Sequence, residues 1–187
     1  MKVHIRLGKL EEIETLIELQ SQSLLANHRD GYNEAQLAFL VESQAEARRA
    51  GCKEETLFVA EKDERIVGFS SLLDAYPYIG ALYVHPDYFE QRIGSDLLLA
   101  VENLAIHRKF KRLWVVSSIA SVGFYKKHGY LKPKRFQLFD RRRWLRCKLL
   151  QKELVPLPLV EKVWEIFLMI APWLFWLIMA ILPFLIN

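Results

Sequence analysis

The residues best placed to do chemistry lie between Ala81 and Tyr130. A run that reads as a strand, Tyr78 to Val84, is followed by a loop that enters a helix at Gly94-Ser95-Asp96. A second strand, Arg112 to Ser117, then leads to a short helix carrying Phe124-Tyr125. A helix that opens directly after a strand presents unpaired backbone N–H groups and the positive end of its dipole, a natural seat for a phosphate-bearing ligand.

These residues have to be positioned by the rest of the chain. Lys2 to Arg6 reads as a first strand, and Leu10, Ile13, Leu16, Ile17 and Leu24 recur at helical spacing over Leu10 to Leu25. Asn33 to Arg49 repeats that spacing through Leu37, Leu40 and Val41, with Gly51 as the expected stop. Thr56 to Glu61 and Arg65 to Leu72 form a hairpin around Lys62-Asp63-Glu64. Leu97 to His107 is an apolar-striped helix that Ser95 or Asp96 is expected to cap, and Gly129 ends the short helix Ser121 to Lys127. Phe136 to Phe139 and Trp144 to Leu150 make a last hairpin. The order predicts an α/β fold: a mixed, mostly antiparallel central sheet flanked by helices, plus a C-terminal hydrophobic helix.

The order Val84-His85-Pro86-Asp87-Tyr88, then Ile93-Gly94-Ser95 before Leu97-Leu98, then Phe124-Tyr125-Lys126-Lys127-His128-Gly129-Tyr130, resembles the GNAT superfamily of acetyl-CoA-dependent N-acetyltransferases. The resemblance spans residues 1–153 in element order and is strongest over 79–130. It implies that acetyl-CoA is the cosubstrate and an amine the acceptor, with no metal.

In that family the diphosphate loop is Gln or Arg, two residues, Gly, one residue, then Gly or Ala. This chain offers Phe89, Glu90, Gln91, Arg92, Ile93 and Gly94, so the last glycine alone is kept. Arg92 stands where the first glycine is expected and adds a cation, whereas Glu90 opposes an anionic ligand. The resemblance makes Gln91, Arg92, Ile93, Gly94 and Ser95 the diphosphate cradle. The backbone of Leu82, Tyr83 and Val84 is the edge along which the pantetheine arm runs. Ser118 is a further cofactor contact, or a cap for the helix after it.

Tyr125 matches the position where many relatives hold a tyrosine near the thioester sulfur. A phenol with a reference pKa near about 10 is protonated at neutral pH and able to donate to the departing thiolate. For a base the sequence offers His85, Tyr83 and Asp74 near the acceptor side, with His85 more simply a turn residue before Pro86.

Composition bounds the rest. The chain has 187 residues, 52% of them hydrophobic, and a net charge of +4. That mild basic balance without interleaved aromatics does not point to nucleic acid. Cys52 and Cys147 are too few and too separated for a disulfide scaffold or a zinc site, and read as reduced thiols. The N-terminal residues resemble neither a secretory nor a transit signal.

Ile166 to Ile186 carries no charged side chain, about the length a bilayer core requires at roughly 20 residues. Basic residues upstream, among them Arg141, Arg142, Arg143 and Arg146, favour a cytoplasmic N-terminal side. The expected organisation is an acetyltransferase-like domain at 1–153, a linker at 154–163 and a membrane-anchoring or transmembrane helix at 164–187. That organisation predicts a tail-anchored protein with its catalytic domain facing the cytoplasm and the lipid bilayer as a partner. Pro172 and Pro183 leave open a re-entrant or interfacial segment. The altered loop leaves open a second function, a catalytically inactive binding or adaptor module at a membrane.

Overall fold

The computed structural model describes residues 3–27, 32–140 and 143–156. Within them, strand β1 (His4–Leu7) leads through a 3-10 turn (Leu10–Glu12) into helix α1 (Ile13–Asn27) and helix α2 (Glu34–Gly51). Then come β2 (Glu55–Lys62), β3 (Arg65–Leu73), β4 (Tyr78–Val84), α3 (Ile93–His107), β5 (Arg112–Ser118), α4 (Val122–Lys127), β6 (Leu131–Asp140) and β7 (Arg143–Glu153).

Local chemistry explains most boundaries. Asn33 opens α2 with a reciprocal cap: its side chain accepts from Gln36 N at 2.8 Å while Gln36 Oε1 accepts from Asn33 N at 3.1 Å. The β2–β3 hairpin turns at Asp63 and Glu64, with φ of 52° and 60°, the left-handed pair that suits the twist of a two-residue hairpin. Gly129, at φ 86°, ends α4 by donating its N–H to Lys126 O at 3.0 Å. One expectation fails. The third helix opens at Ile93 behind Arg92, and neither Ser95 nor Asp96 caps it.

Among the described residues the sheet has seven strands in the order β1-β2-β3-β4-β5-β7-β6. Every neighbouring pair is antiparallel except β4 and β5. This is the mixed, mostly antiparallel sheet flanked by helices that the sequence predicts. Alternation along the strands makes two cores: Leu57, Val59, Phe69 and Ala81 pack with Leu16 and Leu19 of α1, whereas Leu72, Ile79 and Val115 pack with Leu98 and Val101 of α3.

Met1–Leu154 forms one compact unit. The expected membrane segment at 164–187 and residues 157–163 of the linker lie outside the described residues. Among the described residues no helix is long and apolar enough to cross a membrane.

Candidate active site

The site begins where the sheet comes apart. Strands β4 and β5 share two register pairs, Tyr78 with Trp114 and Ile79 with Val115. Beyond them β4 stays with β3 as far as the Gly68–Val84 pair, while β5 stays with β7 as far as the Ser118–Cys147 pair. A bulge drives the separation, because the β3–β4 register shifts between Ser71 and Leu72 and leaves Gly80 as the extra residue. Gly80 fits there for want of a side chain: a Cβ would lie 2.8 Å from Ser71 Oγ and 2.9 Å from Glu55 Oε2. The inner edges of the two strands therefore face each other across a cavity of about 690 Å³. The predicted edge of Leu82, Tyr83 and Val84 lines it.

At one end the cavity meets the start of α3. Helical bonding begins with Asp96 N to Arg92 O at 3.1 Å, so the N–H groups of Ile93, Gly94 and Ser95 precede the first turn's bonds, and no side chain caps them. Arg92, Ile93, Gly94 and Ser95 all line the cavity. Arg92 takes φ 65° and ψ 0°, a left-handed shape that glycine adopts freely, at a cost of about 1–2 kcal/mol for a residue with a Cβ. Glu90, at φ 62°, makes a second left-handed turn and also lines the wall.

Phe89 lines the cavity wall rather than filling it. Its ring packs against the cluster of Ala60, Val67, Val84, Ile93 and Leu97, which folds it onto the sheet. A Cβ at Gly94 would meet the Phe124 ring at 3.5 Å, an ordinary contact, so packing does not by itself demand glycine there. Gln91 departs from expectation. Its side chain turns away to Asp87 O at 3.3 Å and Lys62 Nζ at 3.4 Å, and it is not part of the cavity wall.

Tyr125 lines the cavity from α4, with 5% of its surface exposed. Its ring stands edge-on to Phe124 at 5.2 Å and to Tyr130 at 5.4 Å, which fixes its direction. Burial, and then the neighbouring Tyr83, push its phenol well above the ordinary value, so it stands protonated at neutral pH. Ser118 serves the turn ahead of α4, its Oγ donating to Ser121 Oγ at 3.1 Å and accepting from Ser121 N at 3.3 Å, and it lines the cavity as well.

Two of the base candidates lie elsewhere. His85 Nδ1 accepts from Asp87 N at 3.3 Å in an exposed turn, and Asp74 is taken up by Arg108 at 3.0 Å and Thr56 at 2.8 Å. Neither lines the cavity; Tyr83 does. Sequence reasoning missed His128, whose Nδ1 lies 2.9 Å from Phe124 O and whose Nε2 lies 3.0 Å from Ser95 Oγ. Its place inside the Phe124–Tyr130 motif was the available signal. It also missed the wall opposite α3, made by Leu24, Tyr32, Leu40 and Cys147, which no local pattern marks. Among the described residues no cluster of three or more His, Cys, Asp or Glu side chains forms a metal site.

Residues 14–130 match the Acetyltransferase (GNAT) family. The fold is similar to a GCN5-related N-acetyltransferase from Rhodopseudomonas palustris, with 28% identity and a TM-score of 0.76 over 82% of this chain and 96% of that one. It is also similar to the PaiA N-acetyltransferase from Thermoplasma acidophilum in complex with coenzyme A, at 22% identity and a TM-score of 0.67, covering 82% of this chain and 99% of that one. A third likeness is YncA from Salmonella typhimurium with its cofactor acetyl-CoA, at 18% identity and a TM-score of 0.58, covering 84% and 97%. The family match covers well over half of the chain, which therefore belongs to the GNAT acetyltransferase family.

Proposed function

We propose that this protein moves the acetyl group of acetyl-CoA to an amine, with Tyr125 as general acid. The observation that carries the reading is the single cavity between β4 and β5, which joins the open N-terminus of α3 to the Tyr125 wall. Acetyl-CoA supplies an activated acyl group on a sulfur leaving group. The main-chain N–H groups of Ile93, Gly94 and Ser95 hold its diphosphate, helped by the Arg92 cation. The free edge of Leu82, Tyr83 and Val84 pairs with the pantetheine amides as a neighbouring strand would. Tyr125 gives its hydroxyl proton to the departing sulfur, and Ser118 keeps the α4 entry in place. His128 supports the cradle through Ser95.

Calorimetric titration with acetyl-CoA, followed by a thiol-release assay with a panel of amines, is the deciding experiment. Binding and release are expected together. Binding without release would favour the second reading, a catalytically inactive module at a membrane, for which the departures at Phe89 and Arg92 speak.

We further propose that the protein works at a membrane surface on the cytoplasmic side. The uncharged run Ile166 to Ile186 and the basic residues upstream of it support this. Carbonate washing of membranes that carry the full chain should leave it in the pellet, and its release into the supernatant would refute an integral anchor.

A further inference from the structure

The two ends of the cavity differ in character. The end at α3 and α4 is charged, with Glu90, Arg92 and Lys127 on its wall. The opposite end is built by α1, α2, β4 and β7, where Leu24, Tyr32, Leu40 and Cys147 form one apolar cluster with Tyr83 packed against it. The polar side chains added there by Ser23 and Gln44 are neutral, and Gln44 Oε1 accepts from Gln20 Nε2 at 3.4 Å.

Among the described residues, the titratable members of this wall are held uncharged near neutral pH. Burial pushes the Tyr83 phenol up to about 12, burial and then Cys147 raise Tyr32 further, and burial raises the Cys147 thiol. Tyr32 adds a fixed polar contact of its own, donating to Arg146 O at 3.0 Å. The buried ion within electrostatic reach of Tyr83 is a cation, Arg48, which lies 5.4 Å from the centre of the Phe69 ring and is paired with Glu55. An ammonium at this end would lose its water and meet neutral lining groups, because Arg48 is not on the wall and Glu55 is already paired with it, an arrangement that leaves a positive charge uncompensated. An apolar or aromatic body would instead gain by leaving water.

Resting on the acetyltransferase reading, we infer that the acceptor is an amine that reacts as its neutral form and is carried on an apolar or aromatic body, rather than a polyamine or a cationic lysine-rich segment. The wall and the chemistry agree. The amine nitrogen forms a bond to the acetyl carbon and the carbon–sulfur bond breaks. Tyr125 gives its hydroxyl proton to sulfur and takes one back from the new ammonium nitrogen, so the net proton moves from nitrogen to sulfur. The products are an amide and a free thiol, and no carboxylate base is required.

The experiment compares kcat/KM of the full-length protein for 4-methylaniline, phenethylamine, spermidine and a lysine-containing peptide. Thiol release is followed from pH 6.5 to 9. The arylamine is expected to lead spermidine by about tenfold or more at pH 7, and the phenethylamine rate should climb with its free-base fraction. Gln44→Glu and, separately, Ser23→Asp place an anion on the wall and should shift the spermidine-to-arylamine ratio upward by about tenfold. A preference for spermidine or the peptide in the unmodified protein would overturn the inference. So would a ratio that neither folded variant moves. If acetyl-CoA fails to bind, or binds while no amine at all is acetylated, the acetyltransferase reading fails; if amines are acetylated but spermidine or the peptide leads, the acceptor assignment alone fails.

Discussion

Ser95 Oγ and His128 Nε2 meet at 3.0 Å, joining the first turn of α3 to the end of α4 across the cavity wall. The second ring nitrogen sets the direction of that bond. Because the Phe124 carbonyl only accepts, Nδ1 carries the proton in the neutral ring, and Nε2 must accept from the Ser95 hydroxyl. The histidine thus aims a serine oxygen beside the proposed phosphate cradle.

Replacing His128 by Leu removes that aim and leaves Ser95 free to rotate. Acetyl-CoA affinity measured by calorimetry should fall about three- to tenfold, the worth of one net hydrogen bond of roughly 0.5–1.5 kcal/mol. An unchanged affinity would place the pair outside the binding machinery.

Tyr125→Phe removes a hydroxyl and keeps the edge-on ring packing with Phe124 and Tyr130. Turnover should drop about 100-fold or more while acetyl-CoA binds as before, as expected for loss of a general acid. Equal turnover in stopped-flow thiol release would remove the role assigned to this residue.

Arg92→Gly relieves a left-handed backbone and deletes a cation from the cavity wall. The urea midpoint should rise, with a gain of about 0.5–1 kcal/mol after the extra chain entropy of glycine is subtracted. Arg92→Ala keeps the strain and loses the same charge, so both variants should bind acetyl-CoA less tightly but Gly alone should be more stable.

Arg48 and Glu55 form an ion pair whose side chains are 3% and 10% exposed. Arg48→Met strands a carboxylate beside Gly80 and should cost about 3–5 kcal/mol, seen as a lower Tm. Adding Glu55→Gln should recover much of the loss, because the orphaned charge goes with it. Since Glu55 also backs the bulge that parts β4 from β5, the single variant should lose acetyl-CoA affinity as well.

The buried phenols predict an alkaline limit. Tyr83 is pushed from an ordinary 10.0 up to about 12 by burial, and Tyr125 moves the same way for the same reason. The folded chain then binds more protons than the unfolded chain above pH 10, so their share of stability is intact below pH 10 and declines as pH climbs toward 12. Urea midpoints at pH 8, 9, 10 and 11 should hold steady and then fall.

Helical spacing, the Asp63-Glu64 turn and the Gly129 stop were legible in the sequence because each depends on residues close together in the chain. Tyr125 was legible through its motif. The start of α3 was misjudged because Ser95 looks like a cap, and its hydroxyl is instead claimed by His128 from another helix. Gln91 was misplaced for a similar reason, since its side chain answers to Asp87 and Lys62 outside the loop. The parting of β4 from β5 depends on a bulge at Gly80 and on partners more than thirty residues away, Trp114 and Val115. The apolar wall of the cavity exists only because β7 brings Cys147 beside Ser118, and no local pattern foretells that register.

A strand edge with free amides normally invites any passing chain to add itself. Here two such edges are turned inward and set face to face after Ile79 and Val115, so neither is offered to the outside. Along these edges a narrow, extended guest rich in amides would act as a substitute strand. Occupancy would complete an interrupted sheet, and the two halves that it joins would move less once the guest is in place.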